Sequence, residues 1–233
     1  MTPSATTAAE LKRAAALAAV DLVESSSVVG LGTGSTAQRF IEELGLRLAD
    51  GRLEGVQGVA TSVASERLAR AARVPLVELP PEGVGLAVDG MDEVDDELRA
   101  IKGLGGALTR EKIVAASAKR FVLVGDSSKR VKRLAEHTPI PVEVLHFGWR
   151  RTARLLEDLG LEPAPRLEGD ALFVSDNGHP ILDCRVRQSV DLEELAERMI
   201  RLPGVIEHGL FLEQAQLALV ASSAGVEELR RRT

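Results

Sequence analysis

The stretch Val28-Val29-Gly30-Leu31-Gly32-Thr33-Gly34-Ser35-Thr36-Ala37 decides how this chain folds. A short apolar run enters a glycine turn, and the turn opens onto a segment of helical propensity at 37–48. An apolar run without polar alternation reads as a strand covered on both faces. Working outward, the same rhythm recurs. A helix is expected at 10–24, with an apolar stripe through Leu11, Ala15, Leu22 and Val23. Strands are expected at 55–59, 77–79, 86–89 and 120–124, and helices at 65–73 and 107–118. Strands alternating with helices imply a Rossmann-like α/β domain with a mostly parallel sheet. In such sheets ligands sit beyond the carboxyl ends of the strands. Two glycine turns and Asp89 follow expected strand ends, which places all three on that edge.

The rhythm changes near Pro139-Ile140-Pro141. A strand at 142–147, a helix at 149–159 and strands at 171–174 and 181–186 follow. The last two flank Asp176-Asn177-Gly178, a hairpin signal. A helix at 192–202, ended by Pro203-Gly204, and a strand at 205–211 complete a βαββαβ order, the ferredoxin-like α+β motif. A strand at 216–221 and a terminal helix at 225–232 are expected to rejoin the first unit. The division is therefore 1–138 plus 209–233 as a Rossmann-like catalytic domain, and 139–208 as a smaller ferredoxin-like domain.

The 233 residues are 45% hydrophobic and 27% charged, the balance of an ordinary globular protein. A net charge of -6 argues against a nucleic-acid partner, which needs a basic stripe. Arg230-Arg231-Arg232 is too short for one and reads as a solvated helix end. Without tyrosine and with one tryptophan, the chain lacks stacking platforms for bases. Cys184 is the only cysteine, which excludes an intrachain disulfide and a Cys-rich zinc site. His137, His146, His179 and His208 show no metal-ligand spacing. The apolar stretch 8–23 is interrupted by Glu10, Lys12, Arg13 and Asp21, so neither a signal peptide nor a membrane span is expected. A cytoplasmic location follows from that reading.

The chemistry concentrates in Val88-Asp89-Gly90-Met91-Asp92-Glu93 and in Lys102-Gly103-Leu104-Gly105-Gly106-Ala107, followed by Glu111. Acids, a cation and backbone N–H groups suit proton transfer on a small anion. Asp89 closes an apolar strand on the ligand edge, whereas Asp95, Asp96 and Glu97 read as a solvated face. Lys112, beside Glu111, reads as exposed. Gly32, Thr33, Gly34, Ser35 and Thr36 form a phosphate cradle at a helix start. Their fit to G-x-G-x-x-A is loose, and no Walker pattern exists. Ser127, Ser128 and Lys129 mark a third strand-to-loop passage on the same edge.

Taken together, these motifs resemble the A-type ribose-5-phosphate isomerases. Asp126-Ser127-Ser128-Lys129, Pro141-Val142-Glu143-Val144, Asp176-Asn177-Gly178, Pro203-Gly204-Val205 and Gly209-Leu210-Phe211 extend the resemblance over nearly the whole chain. It implies reversible interconversion of ribose 5-phosphate and ribulose 5-phosphate, without metal or organic cofactor, in a homo-oligomer (dimer or tetramer). It further implies Glu111 as the base between C2 and C1, Asp89 as the ring-opening group with Asp92 beside it, and Lys102 with Gly103 and Gly105 as stabilisers of the enediolate. Gly32 through Thr36 would bind substrate, with Lys129 and Lys12 near the phosphate. One departure stands out: the family's second turn is commonly Lys-Gly-Gly-Gly-Ala, and here Leu104 replaces the middle glycine. A positive φ at that position would change the loop. A non-catalytic sugar-phosphate sensor would lack Asp89, Lys102 and Glu111, and a nucleotide-dependent enzyme would rest on the loose glycine match alone.

Overall fold

The computed structural model describes residues 7–186 and 190–231, so the start of the chain and Arg232 lie outside the described residues. Helix α1 (Ala8–Val20) opens on a capping box, in which Thr7 and Glu10 satisfy each other's backbone N–H groups. It leads into β1 (Val28–Leu31), α2 (Ser35–Ala49), β2 (Gln57–Ala60), α3 (Val63–Ala71) and β3 (Val84–Gly90). Short strands β4 (Glu93–Val94) and β5 (Ala100–Ile101) precede α4 (Leu108–Ala116) and β6 (Ala118–Asp126). Next come β7 (Ile140–Val144), α5 (Trp149–Glu157), β8 (Leu161–Pro165), β9 (Leu167–Glu168), β10 (Ala171–Leu172) and β11 (Ile181–Val186). The chain ends with α6 (Leu192–Ile200), β12 (Val205–His208), β13 (Leu210–Phe211), β14 (Leu217–Ser222) and β15 (Gly225–Arg230).

The main sheet has the order β15-β14-β6-β3-β1-β2, and every neighbouring pair except β14–β15 is parallel. Chain direction across the sheet reverses between β1 and β3, which opens a crevice at their carboxyl ends. Both faces are packed. Val29, Leu31, Val88 and Val124 meet α1 and α2 on one side, and Ala87, Phe121 and Leu123 meet α4 on the other. Gly30 is needed here, because a Cβ would lie 2.5 Å from Val114 and 2.7 Å from Ala87.

The second sheet runs β12-β7-β11-β8, antiparallel throughout, with Leu156 of α5 and Leu195 and Met199 of α6 over its core. That order is ferredoxin-like, but its second strand is β8, not the segment 171–174. Pro163 and Pro165 hide β8 in the sequence, and an edge strand tolerates them because its outer N–H groups need no partner. Residues 171–174 instead supply β10, which pairs with β9, and only Val174 bridges to Pro180 across the Asp-Asn-Gly turn. A three-stranded sheet, β13-β5-β4, joins the two larger ones. The second glycine turn leaves this small sheet, so it does not follow a strand of the main sheet as the alternation suggested.

Two further expectations are corrected. Of the expected helix at 225–232, Gly225–Arg230 form strand β15, paired with β14 from Ser222↔Gly225 to Leu217↔Arg230. The Glu- and Arg-rich stretch has helical propensity, but β14 would otherwise present an unpaired edge, and tertiary pairing wins. The segment 77–79 is not a strand: it adds the hydrogen bond from Val77 N to Gly58 O at 3.0 Å beside the bridge Gly58↔Leu76. Pro75, Pro80 and Pro81 cut it short. Among the described residues, no helix is long and apolar enough to cross a membrane.

Leu156 is fully buried between α5 and the second sheet. Leu156→Ala is expected to cost about 2–5 kcal/mol through lost transfer energy and a cavity. Urea unfolding followed by circular dichroism checks this, and a change under about 1 kcal/mol would show that the site collapses freely.

Candidate active site

The cleft at the β1/β3 crevice begins with an uncapped helix. Gly34 precedes α2 with φ 107°, a conformation glycine adopts without penalty, and no side chain caps the helix. The N–H groups of the first turn are thereby left for an anion, with the positive end of the helix dipole behind them. Thr33 anchors the turn: its N–H donates to Asp89 Oδ1 at 2.9 Å, and its hydroxyl lies 2.9 Å from Thr61 Oγ1 and 2.8 Å from Ser62 Oγ. Ser62 in turn caps α3. Lys12 of α1 and Lys129 reach the same cleft. Asp126 holds the turn that carries Lys129, accepting from the N–H of Ser128 at 3.0 Å and from its hydroxyl.

Below this cradle lies a buried triad. Lys102 Nζ stands 3.1 Å from Asp89 Oδ2 and 3.2 Å from Glu111 Oε2, and all three side chains are almost inaccessible. Lys102 also donates to Gly90 O at 2.5 Å and lies 5.5 Å from the centre of the Phe211 ring. Asp89 Oδ1 accepts from the N–H groups of Thr33 and Gly90, at 2.9 and 2.7 Å. Its Oδ2, like Glu111 Oε2, accepts no aligned hydrogen bond among the described residues. Burial raises the pKa of both carboxyls. Glu111 is pushed up to about 8, first by burial and then by the Asp89 charge. Burial also opposes the charge on Lys102, but the carboxylates of Asp89, Glu111 and Asp92 outweigh it and hold the ammonium well above its usual range.

The second glycine turn forms the opposite wall. Asp92 Oδ2 accepts from Leu104 N at 2.9 Å, so one carboxylate both lines the cleft and ties down the turn. Gly103 and Gly106 take the positive φ values, 104° and 85°, whereas Leu104 does not. The backbone therefore places no glycine requirement at the departure, and the Leu104 side chain points out to solvent, 43% exposed.

The cleft, with a cavity volume of about 110 Å³, brings together Lys12, Thr33, Gly34, Ser35, Thr36, Asp92, Lys102, Gly103, Gly105, Glu111 and Lys129, with Gly90 and Met91 added. Gly32 and Asp89 are behind the wall: a Cβ on Gly32 would overlap the Asp89 carboxylate and lie 2.5 Å from its Cα. Two polar readings are corrected. Asp95 is buried, accepting from the N–H groups of Glu97 and Arg99 and from the Arg99 side chain, because it organises a tight turn. Lys112 is buried too, donating to His208 O at 2.5 Å and to Glu207 at 2.8 Å, which fixes α4 against β12. Glu143, fully buried in β7, accepts from Thr109, from Ser175 at 2.5 Å and from Asn177 at 3.1 Å. It anchors the first turn of the helix that carries Glu111. Its apolar neighbours Val142 and Val144 hide this role in the sequence.

A buried base, a cation and a glycine turn beside an uncapped helix can take a proton from a carbon next to a carbonyl while an anionic group is held nearby. That is the equipment of an aldose–ketose isomerase. The model of the ribose 5-phosphate isomerase A (phosphoriboisomerase A) family matches residues 57–225. The ribose-5-phosphate isomerase A of Roseiflexus castenholzii is 51% identical over 94% of this chain and 94% of its own. That of Deinococcus radiodurans is 45% identical over 95% and 98%. The solved structure from Methanocaldococcus jannaschii superposes with a TM-score of 0.91 at 41% identity, covering 96% of this chain and all of that one. A D-ribose-5-phosphate isomerase in complex with phospho-erythronic acid superposes at 0.93 with 34% identity, over 97% and 100%. The chain belongs to the ribose 5-phosphate isomerase A family.

Gly32→Ala is expected to displace Asp89 and the Thr33 turn together, costing about 1–3 kcal/mol of stability and most of the turnover. Thermal melting and a turnover assay read the two effects. Wild-type values in both would show that β1 and β3 can part without consequence.

Proposed function

We propose that this protein interconverts D-ribose 5-phosphate and D-ribulose 5-phosphate, acting in the cytoplasm as a homo-oligomer within the non-oxidative pentose phosphate pathway. The observation that carries the reading is Lys102 set between Asp89 and Glu111 in the same cleft as the uncapped start of α2. The substrate phosphate lies at Gly34 through Thr36, where helix N–H groups, hydroxyls and the charges of Lys12 and Lys129 meet it, on a turn shaped by Gly32 and Thr33. The sugar carbons then extend toward Lys102 and Glu111. Residues 1–138 with 209–233 act as the catalytic domain, and 139–208 as the ferredoxin-like one.

Asp89, just beneath the cleft lining, assists opening of the furanose ring and the proton traffic at the sugar oxygens. Glu111 in its ionised form removes the C2 proton, the C1 carbonyl oxygen gains negative charge, and an enediolate forms. Glu111 then returns the proton to C1 as the hydroxyl proton of O2 passes to O1, leaving C2 as the carbonyl and O1 as a hydroxyl. Lys102 and the N–H groups of the 103–107 turn stabilise the oxygen charge as it develops, which a carboxylate base requires for so weak a carbon acid. Asp92 supports the same turn. The chemistry uses protons and fixed charge alone, so no cofactor enters the proposal.

Glu111→Gln keeps the shape and removes the base. Turnover is expected to fall by at least about a hundredfold with the fold retained, and near-normal turnover would reject the assignment. Turnover of the wild type is expected to be unaffected by chelator; its abolition would point to metal chemistry.

The pH dependence follows from the burial of Glu111. Its carboxyl stays protonated until well above the ordinary carboxylate range, so activity should rise toward neutral pH as the base ionises. In Asp89→Asn the neighbouring negative charge is gone, ionised Glu111 is less disfavoured, and the rising limb of the residual kcat/KM should move to lower pH. A limb at the ordinary carboxylate pKa in the wild type, or a shift to higher pH in the variant, would contradict the assignment.

A further inference from the structure

Arg166 follows β8, outside the main sheet, yet it reaches the second glycine turn. Its Nη1 donates to two consecutive carbonyls, Gly103 O at 3.0 Å and Leu104 O at 2.9 Å. The rest of the guanidinium pairs with Asp183 of β11, through Nε at 3.0 Å and through Nη2. The backbone of Arg166 is pinned on both sides, its N–H donating to Ile181 O and its carbonyl accepting from Phe173 N, each at 2.9 Å. Phe173 stacks 5.6 Å from the guanidinium, and its ring fills the space beside Gly106, where a Cβ would lie 2.7 Å from Cε1.

A trans peptide holds its C=O and the following N–H on opposite sides. With the carbonyls of Gly103 and Leu104 both drawn to Arg166, the N–H groups of Leu104 and Gly105 face the other way. The Leu104 N–H indeed meets Asp92, a residue of the cleft wall. A rigid, planar, permanently charged fork suits this task, since a lysine could not bind a carboxylate and two carbonyls at fixed angles.

We propose that Arg166, held by Asp183, is a positioning residue for the isomerisation: it orients the Leu104–Gly105 peptide so that the Gly105 N–H faces the enediolate oxygen, while Asp92 holds the Leu104 N–H of the preceding peptide. The proposal rests on the reading of that turn as the oxyanion cradle. Arg166 does not touch substrate; it acts through the backbone it holds. It makes the β8–β11 edge of the ferredoxin-like sheet part of the catalytic apparatus.

The test compares wild type with Arg166→Met, Arg166→Lys and Asp183→Asn. Two readouts accompany kcat and KM: the inhibition constant of a four-carbon aldonic acid phosphate, whose carboxylate resembles the end of an enediolate, and the dissociation constant of inorganic phosphate. In Arg166→Met, kcat is expected to fall about ten- to a hundredfold, less than or comparable to loss of a direct oxyanion donor. The acid phosphate should weaken in parallel, while inorganic phosphate, held at the start of α2, binds as before. Arg166→Lys should recover only part of kcat, and Asp183→Asn should show a smaller loss of the same kind. Unchanged kcat in Arg166→Met overturns the proposal, and so does equal weakening of both anions, which would mean general collapse. Should Arg166→Met fail to fold, the Lys and Asn variants decide on the same criteria. If the wild type does not turn over ribose 5-phosphate, the functional reading fails by itself, and the difference between the two anions still judges Arg166.

Discussion

The structure depends on one buried ammonium. Lys102 sits within 3.2 Å of two carboxylates that burial alone would drive to neutrality. Removing ions from water costs several kcal/mol each, and only close opposite charge and hydrogen bonding offset that. Asp89 has two backbone N–H donors besides Lys102, but Glu111 Oε2 has the ammonium alone. Burial raises the proton affinity of both carboxyls, and the Glu111 carboxyl is pushed up to about 8. Lys102 itself is held by Gly90 O, by the Phe211 ring and by its own N–H, which donates to Gly209 O at 2.9 Å. Main sheet, small sheet and the β12–β13 link thus converge on one residue.

Around that charge, the proposed site relies for binding mainly on backbone groups. Glycines at 32, 34, 103 and 106 serve two distinct purposes. Gly34, Gly103 and Gly106 take positive φ, while Gly32 is simply the one residue thin enough to let β1 and the Asp89 carboxylate meet. Backbone donors cost no side-chain entropy to position, but they must be held in place from outside. Asp92 and Arg166 do this from opposite sides of the second turn, and Asp126 does it for the loop of Lys129.

Much of the site was legible in the sequence because its signals are local. An apolar run, a glycine turn and a helix start occupy ten consecutive residues, 28–37, and the strand-closing Asp89 needs only its own neighbours to be noticed. What failed was non-local. The edge position of β8 excuses its prolines, and the bare edge of β14 recruits β15 against helical propensity. Asp95 and Lys112 look like surface charges until their partners, Arg99 and the carbonyl of His208, are brought close.

By itself the sequence determined the β–turn–α rhythm, the parallel sheet, the ligand edge and the residue types gathered there, since each follows from spacing along the chain. Only the tertiary structure decided that Leu104 takes no positive φ, that Glu111 is buried with a raised pKa, and that Arg166 and Glu143 hold the second glycine turn and the start of α4 from another sheet. Proton affinity depends on burial and on charges brought from distant segments, and a turn's strain depends on which residue takes the positive φ. Both are properties of three-dimensional surroundings, and the order of residues alone does not contain them.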